Sequence, residues 1–168
     1  DIASQNHGEG FEWATRPEDR SRLWNARHSA YFAMLQLKPG CRAVTTDVCV
    51  PISRLAECVV ETEQDLKESP LPCPIVGHVG DGNFHVAILI DPDKPEELVE
   101  AERLNHRIVE RALRMDGTCT GEHGVGLHKM GFLVEEHGED TVDTMRAIKH
   151  ALDPRNLMNP GKIFSWAA

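Results

Sequence analysis

Along the chain, apolar positions first fall into helical spacing at Leu23, Trp24, Ala26, Ala30, Tyr31, Met34 and Leu35, with Arg27 on the same stripe. Thr15-Arg16-Pro17-Glu18-Asp19 supplies the start, with Pro17 in the first turn and acids after it. Lys38-Pro39-Gly40 supplies the stop, so a helix is predicted to about Leu37. The stretch before it, Asp1 to Trp13, reads as the tail of an element that begins earlier. Residues 41–50 are rich in β-branched side chains and predict a strand, interrupted by the polar Thr45-Thr46-Asp47. Pro51 opens a second helix with a stripe of Ile52, Leu55, Ala56, Val59, Val60 and Leu66, and Ser69-Pro70-Leu71-Pro72 ends it. Two strands follow at about 73–79 and 83–90. A third helix is predicted over 95–115, carrying Leu98, Ala101, Leu104, Ile108, Ala112 and Leu113. A short extended piece at 118–120 leads into Gly121-Glu122-His123-Gly124-Val125-Gly126. The remainder reads as helical, with Val142, Met145, Ile148 and Leu152 as its stripe, and closes on Leu157-Met158-Asn159-Pro160-Gly161-Lys162-Ile163-Phe164. The order strand, helix, strand, strand, helix, strand predicts an α+β fold, an antiparallel sheet with helices on one face, plus a C-terminal helical tail.

The 168 residues have the length of one ordinary domain or two very small ones. Hydrophobic residues at 40% and charged residues at 27% describe a globular chain. Lys plus Arg number 18 against 27 Asp plus Glu, a formal net charge of -9, which argues against a nucleic-acid partner. The longest apolar run, Val86-Ala87-Ile88-Leu89-Ile90, falls far short of the ~20 residues that cross a bilayer. Neither a membrane span nor a secretory leader is expected, since the start is polar and acidic. The first residue is Asp1 and not Met, so the chain is expected to be a piece of something longer. Cys41, Cys49, Cys58, Cys73 and Cys119 are odd in number and form no C-x-x-C pair, which fits a reducing compartment and mostly buried thiols.

Candidate chemistry begins at Gly77-His78-Val79-Gly80-Asp81-Gly82-Asn83-Phe84-His85. Asp-Gly between apolar runs signals a tight hairpin, because a type I′ turn needs positive φ at both central residues. With Asp81 and Gly82 at the tip, His78 faces His85 across the strands, with Cβ atoms about 4.5–5.5 Å apart. The opposite face collects Ile75, Val79, Phe84, Val86, Ile88 and Ile90 as a core face. Two readings of the pair stay open, two satisfied interior histidines or a metal or catalytic pair. The Gly121–Gly126 segment adds a carboxylate and an imidazole between glycines, as either a functional loop or a turn entering a helix. Adjacent side chains point apart, so Glu122 is expected at a metal and His123 towards a substrate. Two His and one carboxylate with open positions is a common catalytic set, typical of Zn²⁺ and compatible with other divalent ions. His7, His28, His106, His128, His137 and His150 read as surface or helix residues, and the acidic run Glu135, Glu136, Glu139, Asp140 as a solvated face.

Taken together, these two motifs and Asn159-Pro160-Gly161-Lys162 resemble the C-terminal half of FAD-linked 2-hydroxy acid dehydrogenases. Trp24-Asn25-Ala26-Arg27 resembles the family's W-x-x-R helix, and Asp47-Val48-Cys49-Val50-Pro51 its D-x-x-x-P lead-in to the next helix. The wording around 46–54 and 118–126 looks most like the mitochondrial-type D-lactate members. The resemblance implies a cap, or substrate-binding, domain over residues 1–168 with a ferredoxin-like core. It implies that His78, His85 and Glu122 hold a divalent metal, Zn²⁺ or Mn²⁺, and that His123 is the base. It implies that Arg27 clamps the substrate carboxylate, and that Asn159 and Lys162 belong to a tail that returns to the flavin. FAD itself would be bound mainly by an N-terminal domain of the same polypeptide, outside this sequence, so the stretch alone is expected to be catalytically silent. A cytoplasmic (bacterial) or mitochondrial location is expected, and a homodimer is left open.

Two departures from the hydroxyglutarate-specific members bear on the substrate. They carry a lysine shortly before the aspartate, where this chain has Thr45 and Thr46, and an asparagine where it has Ala87. Both changes remove polar groups that would meet a second carboxylate, so a D-lactate-like monocarboxylate is expected. The implied reaction oxidises a D-2-hydroxy acid to its 2-oxo acid, with hydride passing to FAD. The rivals are a stand-alone metal hydrolase, since the same ligands activate water, and a metal-free interaction module.

Overall fold

The structure is a computed structural model that describes residues 2–8, 10 and 13–165. Of the stretch read as the tail of an earlier element, residues 1, 9, 11 and 12 lie outside the described ones. The chain divides into two compact units, Asp1–Pro39 and Gly40–Ala168. In the first, a short helix α1 (Ile2–Gln5) precedes the long helix α2 (Pro17–Leu35), close to its expected bounds. The inner stripe expected of α2 is not there. None of its residues is buried, Trp24 is 60% and Phe32 67% exposed, and Arg27 is exposed as well. Charged and apolar side chains are mixed around the helix, and so small a unit has too little chain to close a core over one face. Burial therefore places no demand on the Arg27 charge.

The second unit holds the sheet. Strands β1 (Arg42–Thr45) and β2 (Val48–Cys49) precede helix α3 (Ile52–Leu66). Strands β3 (Ile75–His78) and β4 (Asn83–Ile90) follow, and then helix α4 (Pro95–Arg114). β1 and β2 pair antiparallel with β4 in one continuous register, Thr45 opposite Ala87 and Val48 opposite Phe84. β3 pairs antiparallel with β4 on the other edge, and Thr118 bridges Cys49 on the outer side of β2. Counting β1 and β2 as one strand, that strand and β4 lie between β3 and the Thr118 bridge, which is the ferredoxin-like order the resemblance implies. With neighbours on both edges and cover on both faces, every residue of β4 is buried.

One face of β4 presents Phe84, Val86, Ile88 and Ile90 to the helices. Leu55 and Cys58 of α3 meet them there, with Leu104, Ile108 and Ala112 of α4. Of the expected α3 stripe, Leu55 and Leu66 are buried and Val59 is half-buried, whereas Ile52, Ala56 and Val60 are exposed and Thr62 and Asp65 are buried instead. Arg111 of α4 is the reason: its guanidinium donates to Thr62 Oγ1 at 3.1 Å and to Asp65 Oδ2 at 2.9 Å. A face that buries a polar pair does not show as an apolar stripe.

Helices α5 (Met130–His137) and α6 (Glu139–Leu152) complete the unit, joined at Gly138. Only Val142 of the expected α6 stripe is buried, because α5 with 8 residues does not cover the 14 of α6. Among the described residues no helix is long and apolar enough to cross a membrane.

The five cysteines are unbridged thiols, with Cys58 and Cys119 buried and Cys41, Cys49 and Cys73 half-buried. Burial, reinforced by the Glu136 carboxylate, pushes the Cys119 thiol up to about 12. Cys119 is therefore expected to resist alkylation by iodoacetamide at pH ~8, where it stays a thiol, and to react only after denaturation. Mass mapping of alkylated peptides checks this.

Candidate active site

The two histidines do share one face of the sheet, but not through the expected pairing. Val79–Asp81 form a single 3₁₀ turn, and only Gly82, at φ 74°, takes the left-handed conformation. An added Cβ there would lie 2.1 Å from the Val50 carbonyl oxygen, so the position holds only glycine. This loop is longer than a two-residue hairpin and moves the register: His78 lies opposite Asn83, and His85 opposite Val76. The slip is by two residues, which leaves the side chains of the paired residues on their expected faces. His78 and His85 become diagonal neighbours, with ring centroids 6.0 Å apart. Val79 leaves the expected core face and is exposed in the turn.

Thr46 and Asp47, the polar interruption of the first strand, sit between β1 and β2 and are buried. Thr46 N–H donates to the Val86 carbonyl at 3.0 Å, as in a ladder. In return, Val86 N–H donates to Thr46 Oγ1 at 2.9 Å and not to the Thr46 carbonyl. That carbonyl instead lies 3.1 Å from His85 Nδ1. Since a carbonyl only accepts, Nδ1 carries a proton, and in the neutral ring Nε2 is then the lone-pair nitrogen.

His85 Nε2 lies 3.0 Å from Glu122 Oε1, His78 Nε2 3.6 Å and His123 Nε2 3.7 Å from the same oxygen. The loop thus brings His78, His85, Glu122 and His123 together. One expectation is corrected: the His123 ring does not turn away from Glu122 but stacks on His85, with centroids 5.0 Å apart and planes at 8°. Consecutive residues converge here because the loop backbone curls around a buried carboxylate.

That carboxylate is Asp47. It accepts from the backbone N–H groups of Gly121 at 2.9 Å, Glu122 at 3.2 Å and His123 at 3.0 Å. Thr120 Oγ1 donates to it at 3.0 Å, Asn83 Nδ2 at 2.9 Å and Lys129 Nζ at 3.1 Å. Burial alone would raise its pKa, but the His123 amide, Asn83 and Lys129 together hold the carboxyl well below the usual range. Among the described residues, two triads have ligand atoms within 4.8 Å of one another: His78, His85 and Glu122, and Asp47, His85 and His123. In the second, both Asp47 oxygens already accept hydrogen bonds and His85 turns its Nδ1 side to Asp47, which makes it the poorer cation set. The first is an imidazole and carboxylate set suited to Zn²⁺ or Mn²⁺, with a pinned tautomer behind it. Asn83 adds a buried acceptor. Its Nδ2 donates to Asp47 Oδ1 and the Val48 carbonyl, and its Oδ1 has no partner.

Asp47, Asn83, Thr120 and Lys129 are site residues that sequence reasoning did not single out for a role. The available signal was an aspartate inside a β-branched strand, which a buried hub explains. Glu136 does not belong to a solvated face: its carboxylate accepts from Cys119 N–H at 2.8 Å and anchors the start of the loop. Asn159 and Lys162 are exposed on the C-terminal tail, whose Ile163 N–H donates to the Gly126 carbonyl at 2.8 Å. Arg27 belongs to the first unit.

The family FAD linked oxidases, C-terminal domain, matches residues 1–163, and the chain belongs to that family. It is 53% identical over 163 residues to the probable mitochondrial D-lactate dehydrogenase of Danio rerio, covering 97% of this chain and 33% of that protein. It is 49% identical over 162 residues to the mitochondrial D-lactate dehydrogenase [cytochrome] of Arabidopsis thaliana, covering 96% and 29%. The identity to the D-2-hydroxyglutarate dehydrogenase of Xanthomonas citri pv. viticola is 32% over 149 residues, covering 86% and 30%. The chain spans about a third of the length of these curated relatives.

Proposed function

We propose that this chain is the substrate- and metal-binding domain of a flavin-dependent D-2-hydroxy acid dehydrogenase acting on D-lactate or a similar short monocarboxylate. The observation that carries the reading is the meeting of three imidazole Nε2 atoms at one oxygen of Glu122, over a buried sheet. In this reading His78, His85 and Glu122 hold the divalent ion, and FAD belongs to the same polypeptide. When bound, the ion would supply Lewis acidity at a substrate hydroxyl, and FAD would supply the hydride acceptor. His123, left over once the metal triad is assigned, takes the hydroxyl proton on Nε2. The Thr46 carbonyl keeps His85 in the tautomer that ligates. Asn159 and Lys162 face the flavin, on a tail tied to the site loop at Gly126.

The substrate assignment draws on Thr45 and Ala87, which are cross-strand partners. Ala87 shares its sheet face with His85. A residue pair without charge or amide beside the site favours a substrate with one carboxylate. The higher identities to relatives named for D-lactate support the same choice. Two of those relatives are named mitochondrial, which favours that compartment. The test is kcat/KM of the intact enzyme, by dye reduction, for D-lactate and for D-2-hydroxyglutarate, before and after chelation. Turnover of D-lactate that chelation abolishes is expected; preference for the dicarboxylate would refute the substrate assignment.

Arg27 is the proposed clamp for the substrate carboxylate, through a bidentate guanidinium contact. Arg27→Lys is expected to raise KM and to lower kcat/KM about 10-fold, because an ammonium cannot make the paired contact. Steady-state kinetics with unchanged KM would remove Arg27 from the site.

A further inference from the structure

The geometry points to Asp47 as the positioning residue for Glu122 and His123, with Lys129 as its counter-charge. The inference rests on the roles proposed above for those two side chains and adds what sets their direction. Three successive amides, of Gly121, Glu122 and His123, converge on one buried carboxylate. A run of N–H groups turned to one anion fixes the backbone dihedrals between them, and so fixes where each Cβ points. This is how two adjacent side chains come to face the same place.

Lys129 ties the far end of the loop to the same point. Its Nζ donates to the Asp47 carbonyl at 2.7 Å and to Oδ2 at 3.1 Å, so residues 120–129 are held by their two ends at Asp47. The continuous register of β1 and β2 on β4 puts Asp47 opposite His85, with Oδ1 3.7 Å from His85 Nδ1. One residue therefore registers the glycine-flanked loop against the strand that carries His85. A buried salt bridge with a purely structural role would not need this pattern of amides.

Four variants of the intact protein separate the two roles: Asp47→Asn, Lys129→Met, the double variant Asp47→Asn/Lys129→Met, and Thr120→Val. Asparagine keeps one acceptor and puts an NH₂ against groups that are themselves donors. Asp47→Asn is expected to speed amide hydrogen exchange at 121–123 by about 10-fold or more. It should also weaken Zn²⁺ and Mn²⁺ affinity about 10–100-fold, as lost supporting contacts do at metal sites, and lower kcat more than it changes KM for D-lactate. Lys129→Met leaves a buried carboxylate unpaired and should lower thermal stability. The double variant should recover that stability, since no charge stays unpaired, yet keep the fast exchange and the weak metal binding. Thr120→Val removes one donor only, and a smaller rise in exchange at 121–123 is expected with the fold intact, which keeps the test open if Asp47→Asn does not fold. Wild-type exchange in Asp47→Asn, or in Thr120→Val where Asp47→Asn does not fold, would overturn the inference. So would wild-type metal affinity in a double variant of restored stability. If the wild type binds no metal, the proposed function fails, and the exchange at 121–123 still decides the role of Asp47.

Discussion

His123→Ala in the intact protein is expected to keep its divalent ion and lose turnover on the order of 10²–10⁴-fold, the loss typical of a missing general base. The structure makes this a demanding prediction, because His123 Nε2 lies about as far from Glu122 Oε1 as His78 Nε2 does, at 3.7 and 3.6 Å. Distance alone does not separate ligand from base. The separation comes from Asp47: His123 shares its compact triad with that residue, whose oxygens are taken up by amides, Thr120, Asn83 and Lys129. Among the described residues, His78, His85 and Glu122 form the triad whose carboxylate is not already ringed by backbone amides. Alanine at any of those three is expected to weaken metal binding, since three protein ligands leave little redundancy. Elemental analysis beside turnover for the four variants checks both halves, and loss of the ion from His123→Ala would make His123 a ligand.

Gly121→Ala is expected to lower turnover by about 10²-fold or more, comparable to a displacement of ~1 Å at the reacting groups. A Cβ on Gly121 would lie 1.9 Å from Asn83 Nδ2 and 2.8 Å from Asp47 Oδ1. Neither neighbour can yield easily, because Asn83 is held by Asp47 and Val48, and Asp47 by its ring of donors. The loop must lift instead, and it takes Glu122 and His123 with it. Gly124→Ala is the control for space, since nothing lies within 4 Å of its added Cβ, although its φ of +77° adds strain there too. Comparable metal content and kcat in Gly121→Ala and wild type would contradict the close packing.

The strand and helix order was legible because it depends on periodicity and on Pro and Gly punctuation, which are local. The face of the sheet that carries His78 and His85 was legible for the same reason, and it survived a wrong register because the slip was by two residues. The turn itself was misread: Asp81-Gly82 suggested a tip, but Gly82 alone takes positive φ and a 3₁₀ turn precedes it. What the sequence hid were contacts between distant segments. Asp65 and Thr62 are buried by Arg111, 46 and 49 residues away. Asp47 gathers a loop 74–76 residues further on. No spacing rule links such positions, and the resemblance to a family supplied roles for ligands and base but not for the carboxylate that aims them.

The most direct measurement is the divalent metal content of the purified intact protein, wild type beside His85→Ala, by elemental analysis. His85 is the choice because its Nδ1 is pinned to the Thr46 carbonyl and its Nε2 makes the shortest contact to Glu122, at 3.0 Å. About one Zn²⁺ or Mn²⁺ per chain in the wild type and almost none in His85→Ala is the expected result. A wild type that oxidises D-lactate with no divalent ion bound, or a His85→Ala variant that keeps a full ion, would contradict the account.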